Sequence, residues 1–133
     1  MNSQEVAKWL AAAIGGVLVL VGLLGFIENP IVGRPEWEPI FVAGTVHNVV
    51  HIITGAAALF VAFGLVGIQR AYGLIALGAA YGGVLLLTLI SQDMFGMLEH
   101  PVNMADHLLH IALAAAPIAV GLWSYSELSR RTA

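Results

Sequence analysis

Residues 40–65 read IFVAGTVHNVVHIITGAAALFVAFGL, a run without Asp, Glu, Lys or Arg, broken only by Thr45, the group His47, Asn48 and His51, and Thr54. At about 1.5 Å of rise per residue, a helix of this length crosses the roughly 30 Å hydrocarbon core of a bilayer. The reading as a membrane span makes the histidines conspicuous. Ionisable groups inside an apolar span are costly unless they pair with or bind something.

Working outward, three more runs have the same character. Trp9–Ile27 carries no charge, and Ala71–Ile90 is rich in glycine and alanine and leaves through Ser91-Gln92-Asp93. The last run spans about 104–123, with Asn103 or Asp106 able to cap its first turn and Pro117 inside it. Pro117 removes the donor for the Leu113 carbonyl, which predicts a local bend. Trp9–Ile27 is longer than a signal-peptide core, and no small-x-small site follows it before Glu28-Asn29-Pro30, so it is expected to remain as the first span. Glu28–Pro39, with three prolines and three glutamates, cannot continue a helix and is expected as a surface loop. The expectation is an all-α, integral membrane, up-down four-helix bundle in one domain, 1–133, with spans at about 9–27, 40–65, 71–90 and 104–123.

Composition agrees. The chain has 133 residues, 59% hydrophobic and only 10% charged, far from the soluble norm. The absence of cysteine excludes disulfides, thiolate metal sites and cysteine nucleophiles. A net charge of -3 and the lack of a basic run argue against nucleic acid as a partner. No phosphate-binding loop and no His-Glu-x-x-His are present, and no serine stands beside an obvious base.

Four spans place both termini on one side together with the connection carrying Arg70. That side holds Lys8, Arg70, Arg130 and Arg131, and the opposite loops hold only Arg34. The positive-inside rule then makes both termini cytoplasmic. Trp37 and Phe41 on one side, and Trp9, Tyr72, Trp123 and Tyr125 on the other, fit aromatic belts at the two interfaces.

The same threading starts the second and fourth spans at the exoplasmic face and runs them parallel. His47-Asn48-Val49-Val50-His51 and Asn103-Met104-Ala105-Asp106-His107-Leu108-Leu109-His110 therefore lie at similar depth. Residues four apart share a helix face, so His47 with His51 and Asp106 with His110 form two pairs that could enclose an ion. Three imidazoles and a carboxylate suit zinc, iron, manganese or copper. His107 and Asn103 flank the second pair as alternative ligands or as supports for the ligands. His100 reads as a loop residue.

A haem or other porphyrin is a second possible occupant. Gly44, Gly55, Ala58 and Ala62 continue the histidine face with little side-chain volume, although small residues in membrane helices also mark close packing, as Gly78-x-x-x-Gly82 suggests for the third span. Met94, Met97 and Met104 cluster beside the same site; thioethers favour copper, and methionine also serves as flexible apolar filler.

The motifs His47-Asn48-x-x-His51 followed by Gly55, and Asn103-x-Ala105-Asp106-x-x-Leu109-His110, carry a resemblance. The sequence resembles a family of small four-helix prokaryotic membrane proteins classed as a domain of unknown function. The resemblance implies a prokaryotic inner membrane and singles out His47, His51, Asp106 and His110. In that family an asparagine commonly follows the aspartate, where this chain has His107. It implies no activity.

The leading expectation is a membrane protein with an intramembrane His/Asp site near the exoplasmic face that binds a transition metal or haem-like group in a binding or accessory role. The alternatives are a structural subunit of a larger membrane complex or homo-oligomer, with the cluster as a polar packing network, and a protein handling quinone, protons or electrons. Lipid is the expected surrounding in every case.

Overall fold

The structure is a computed structural model and describes residues 1–132. Helix α1, Ser3–Leu24, starts six residues before Trp9 because Asn2 and Glu5 form a capping box: the Asn2 side chain accepts from the Glu5 amide at 3.0 Å, and the Asn2 amide donates to the Glu5 carboxylate at 3.1 Å. At its far end Asn29 gathers the loose backbone. Its amide nitrogen donates to the Leu24, Ile27 and Val32 carbonyls, and its oxygen accepts from the Ile31 and Val32 amides.

The proline-rich loop then folds on itself. Two short strands, β1 (Val32–Gly33) and β2 (Phe41–Val42), pair in parallel, with a single 3₁₀ turn, Pro35–Trp37, between them. Sequence patterning did not foresee this pair, since two residues carry no periodicity. It is also the reason helix α2, Thr45–Phe63, begins five residues later than Ile40. Glu99 caps that start: its carboxylate accepts from the Thr45 amide at 2.6 Å, placing negative charge at the positive end of the helix.

Helix α3, Gly67–Ile90, follows almost at once, and Gly67 makes the turn with a φ of 54°. Helix α4, Met104–Thr132, passes Pro117 without interruption and extends past Trp123. The first turn of α4 is closed by Asn103, whose side chain accepts from the Asp106 amide at 3.0 Å while Asp106 Oδ2 accepts from the Asn103 amide at 3.0 Å.

The helices form an up-down bundle of two tight hairpins, α1 on α2 and α3 on α4. Glycine sets their closeness. A Cβ added at Gly15 would lie 2.7 Å from the Gly55 carbonyl oxygen, and one at Gly78 would lie 2.6 Å from the Ala114 carbonyl oxygen. Gly82, its partner in the Gly-x-x-x-Gly motif, would meet only the Ala114 Cβ at 3.9 Å, so one glycine of the pair makes the close approach. Ala7, Ala11, Ala58, Ala62 and Leu74 fill the core near the termini.

That end is also tied by polar contacts. Arg70 donates to the Leu65 carbonyl at 2.6 Å and to the Gln4 carbonyl at 3.5 Å, and the Gln4 side chain bonds Ser124. Tyr72 and Tyr125 pack with centroids 5.6 Å apart, and Trp9 meets Phe63 edge-on at 6.5 Å. Each helix is long and apolar enough to cross a membrane, and Leu20, Ile53, Phe60, Leu86 and Leu108 among others face outward. A coat of large apolar side chains around a small-residue interior suits a lipid surrounding, which makes this a multi-pass membrane protein.

Candidate metal centre

The pairing into hairpins leaves α2 and α4 across the bundle from each other, with α2 and α3 only loosely packed. Long side chains can therefore meet across the core without backbone contact. His47 and His51, one turn apart on α2, point inward with ring centroids 4.4 Å apart, and the His110 ring of α4 stands 6.0 Å from that of His47. All three are buried, His51 and His110 to 2% exposure. One nitrogen from each can be chosen so that all three lie within 4.8 Å of one another. Bonds of about 2.0–2.1 Å to a shared ion would bring such nitrogens to roughly 3.4 Å, a contraction that small side-chain rotations supply.

The hydrogen bonding of these rings is incomplete. His51 Nδ1 and Nε2, His47 Nδ1 and His110 Nδ1 are buried and have no hydrogen-bond partner among the described residues. A buried polar atom left in this state costs about 1–3 kcal/mol.

The carboxylate expected beside them is occupied elsewhere. Asp106 Oδ2 accepts from the amides of Asn103 and of Val42, the latter at 3.2 Å, so Asp106 joins the first turn of α4 to the β2 strand. It lies outside the group of three histidines whose nitrogens converge. An aspartate in the first turn of a helix carries two competing instructions, capping and ligation, and here the unsatisfied amides of the helix start are nearer. Asn103 is the other half of that cap and also donates to the Ile40 carbonyl at 2.9 Å. His107, one turn before His110 on α4, is buried with Nδ1 3.5 Å from Thr88 Oγ1 on α3, and it is not among the three converging rings.

The small-residue face of α2 is taken up by α1. A Cβ at Gly55 would meet Val19 and the Gly15 carbonyl oxygen at 2.8 and 2.9 Å, Ala58 and Ala62 pack against Ala7 and Ala11, and Gly44 faces Glu99. No flat surface remains there for a macrocycle.

A cavity of about 130 Å³ opens from the three rings between α2 and α3. Thr54, Tyr81 and Thr88 line it, none of them read as a site residue from the sequence. Thr54 Oγ1 and Tyr81 Oη are 2.7 Å apart, and the Tyr81 ring stands 5.9 Å from that of His110. The signal for Thr54 was present, since it follows His51 by three residues on one helix face. Met94, Met97 and Leu98 close the outer end of the cavity, while Met104 is 70% exposed and takes no part. The loop carrying these methionines is braced by Asp93. The Ser91 hydroxyl, donating at 2.7 Å, and then the Gly96 amide hold its carboxyl below the usual carboxylate range.

No curated protein and no solved structure matches the chain. A family model does match, that of a domain of unknown function (DUF4383), over residues 8–123. Four apolar helices around a cluster of three buried histidines are thus found in a protein that belongs to the DUF4383 family.

Proposed function

We propose that this membrane protein binds a transition-metal ion through His47, His51 and His110, in a binding or accessory role. One observation carries the reading: His51 is buried with both ring nitrogens unpartnered, in a cluster of three convergent imidazoles. A neutral imidazole presents one donor and one acceptor, and burying both without partners is costly. A metal ion bound by one nitrogen of each ring would turn that cost into coordination energy. Three imidazoles leave a further position open toward the cavity, and they suit zinc, copper, iron or nickel better than the hard oxygen-seeking ions. A porphyrin fits poorly, because about 130 Å³ is well below the roughly 300 Å³ at which pockets for organic ligands begin.

The reading includes an address. The excess of Lys8, Arg70, Arg130 and Arg131 over Arg34 supports cytoplasmic termini in a prokaryotic inner membrane, with the histidines near the exoplasmic face. A second reading treats the cluster as a polar network fixing helix register in a subunit of a larger complex. The Thr54–Tyr81 and Thr88–His107 contacts favour it, but it leaves the nitrogens of His51 without a purpose.

Elemental analysis of protein purified without chelator tests the proposal. One equivalent of a transition metal is expected, with loss of that metal in His51→Ala. Metal-free protein that also takes up no zinc, copper, cobalt or iron on titration overturns it.

A further inference from the structure

Resting on the metal-binding reading above, we infer that the ion is monovalent copper, Cu(I), received at the mouth of the cavity by the thioethers of Met94 and Met97 and passed inward to His47, His51 and His110. Three observations converge on it. First, within a largely apolar lining, the cavity presents three imidazoles and two thioethers beside the hydroxyls of Thr54, Tyr81 and Thr88, with no carboxylate among its lining residues. Thioether is a soft ligand that selects Cu(I), while zinc and iron gain little from it.

Second, the site offers the ion no anionic ligand. The nearest carboxylates are committed to backbone amides, Asp106 to Asn103 and Val42, and Glu99 to Thr45. The Tyr81 hydroxyl is paired with Thr54. The cost of bringing an ion from water into a low-dielectric interior grows with the square of its charge, so a dication is penalised about four times as heavily as a monocation. With only neutral ligands to offset that penalty, the ring cluster favours the single charge.

Third, the loop is shaped to present the sulfurs. Met94, Phe95 and Gly96 follow one another with φ of 52°, 61° and 83°, a left-handed run that side-chain-bearing residues adopt rarely. It is held by hydrogen bonds from the Phe95 amide to Ser91 Oγ at 3.0 Å and from the Leu98 amide to the Asp93 carbonyl at 2.9 Å. The result puts Met94 and Met97 on the cavity while Phe95 faces outward at 72% exposure. Met97 is itself 61% exposed, so it is not filling a packed interior.

Uptake is a ligand exchange. Cu(I) leaves the donor that brings it, gains sulfur and then imidazole nitrogen, and no electron is transferred. The test is anaerobic titration of the full-length protein in detergent with Cu(I) against a chromophoric Cu(I) chelator, and with Zn(II) against a zinc indicator. The same titrations, together with the time course of Cu(I) uptake after rapid mixing, are run on Met94→Leu/Met97→Leu, with helix content checked by circular dichroism. Cu(I) is expected to bind about a hundredfold tighter than Zn(II), a clear margin on a scale where each tenfold is a distinct step. The double variant is expected to take up Cu(I) at least about tenfold more slowly at unchanged Zn(II) affinity, since the sulfurs serve only the soft ion. Tighter binding of Zn(II), or a double variant that takes up Cu(I) like the parent, overturns the copper inference and leaves the metal-binding reading standing. Failure of both ions to bind overturns the copper inference, and the metal-binding reading falls with it when cobalt and iron also fail to bind. A double variant that loses helix content is replaced by the single variant Met97→Leu, whose exposed position tolerates the change, and the same criteria apply.

Discussion

Replacing His51 by leucine should make the protein more stable without metal and less stable with it. Two of the four unpartnered buried ring nitrogens of the cluster belong to this residue. At about 1–3 kcal/mol for each such atom, tempered because an unfolded chain in detergent also finds partners, the isolated substitution should gain about 2 kcal/mol. Leucine is close to histidine in volume and faces a cavity, so little packing is lost. Metal acts on the parent alone. At a free concentration a hundred times Kd it adds about 2.7 kcal/mol, and at a thousand times about 4.1 kcal/mol. The order of stability therefore inverts: the variant leads by about 2 kcal/mol in chelator, and the parent leads by a similar margin in excess ion. Thermal unfolding in detergent, followed by circular dichroism with and without chelator, reads both limbs. A variant less stable than the parent in chelator would refute the claim that the buried imidazole is uncompensated. An equal rise in both proteins on adding metal would show that the ion binds somewhere other than the histidine cluster.

Three further outcomes are expected. Asp106→Ala removes the acceptor for two backbone amides and should cost about 1–2 kcal/mol, as for the loss of a helix cap, while metal affinity stays within a few-fold; a loss of the metal would make Asp106 a ligand after all. Gly15→Ala drives a Cβ to 2.7 Å from the Gly55 carbonyl oxygen and should cost about 1–3 kcal/mol by forcing α1 from α2. Gly16→Ala, which meets nothing within 4 Å, should be neutral or gain up to about 1 kcal/mol of helix propensity, and thermal unfolding of the pair checks both. For topology, a reporter fused after Ala133 should be active only in the cytoplasm, and activity on the outer side would overturn the orientation read from the arginines.

Much of this architecture is legible in the sequence because the bilayer enforces it. In hydrocarbon every backbone polar group must be satisfied within its own segment, so four long uncharged runs become four helices without reference to their neighbours. The i, i+4 spacing of His47 and His51 likewise fixes that both rings share one face of α2. What the sequence could not decide was the bundle order, since hairpin closeness depends on which glycines meet which carbonyls, as Gly15 does with Gly55 and Gly78 with Ala114. That order sets α2 and α4 on a diagonal and opens the cavity beside α3.

The same limit explains the membership of the site. By spacing alone, Asp106 and His110 are an equivalent pair to His47 and His51. Only the tertiary structure supplies the Val42 amide, brought in by the two-residue β1–β2 pairing, and that contact holds the Asp106 carboxylate in the first turn of α4. Sequence by itself determined that the chain is a bundle of four membrane-length helices with histidines at one depth. Which three of its polar side chains converge, and that Met94 and Met97 stand beside them while Met104 and Asp106 do not join them, was decided by contacts between residues tens of positions apart, to which local periodicity is blind.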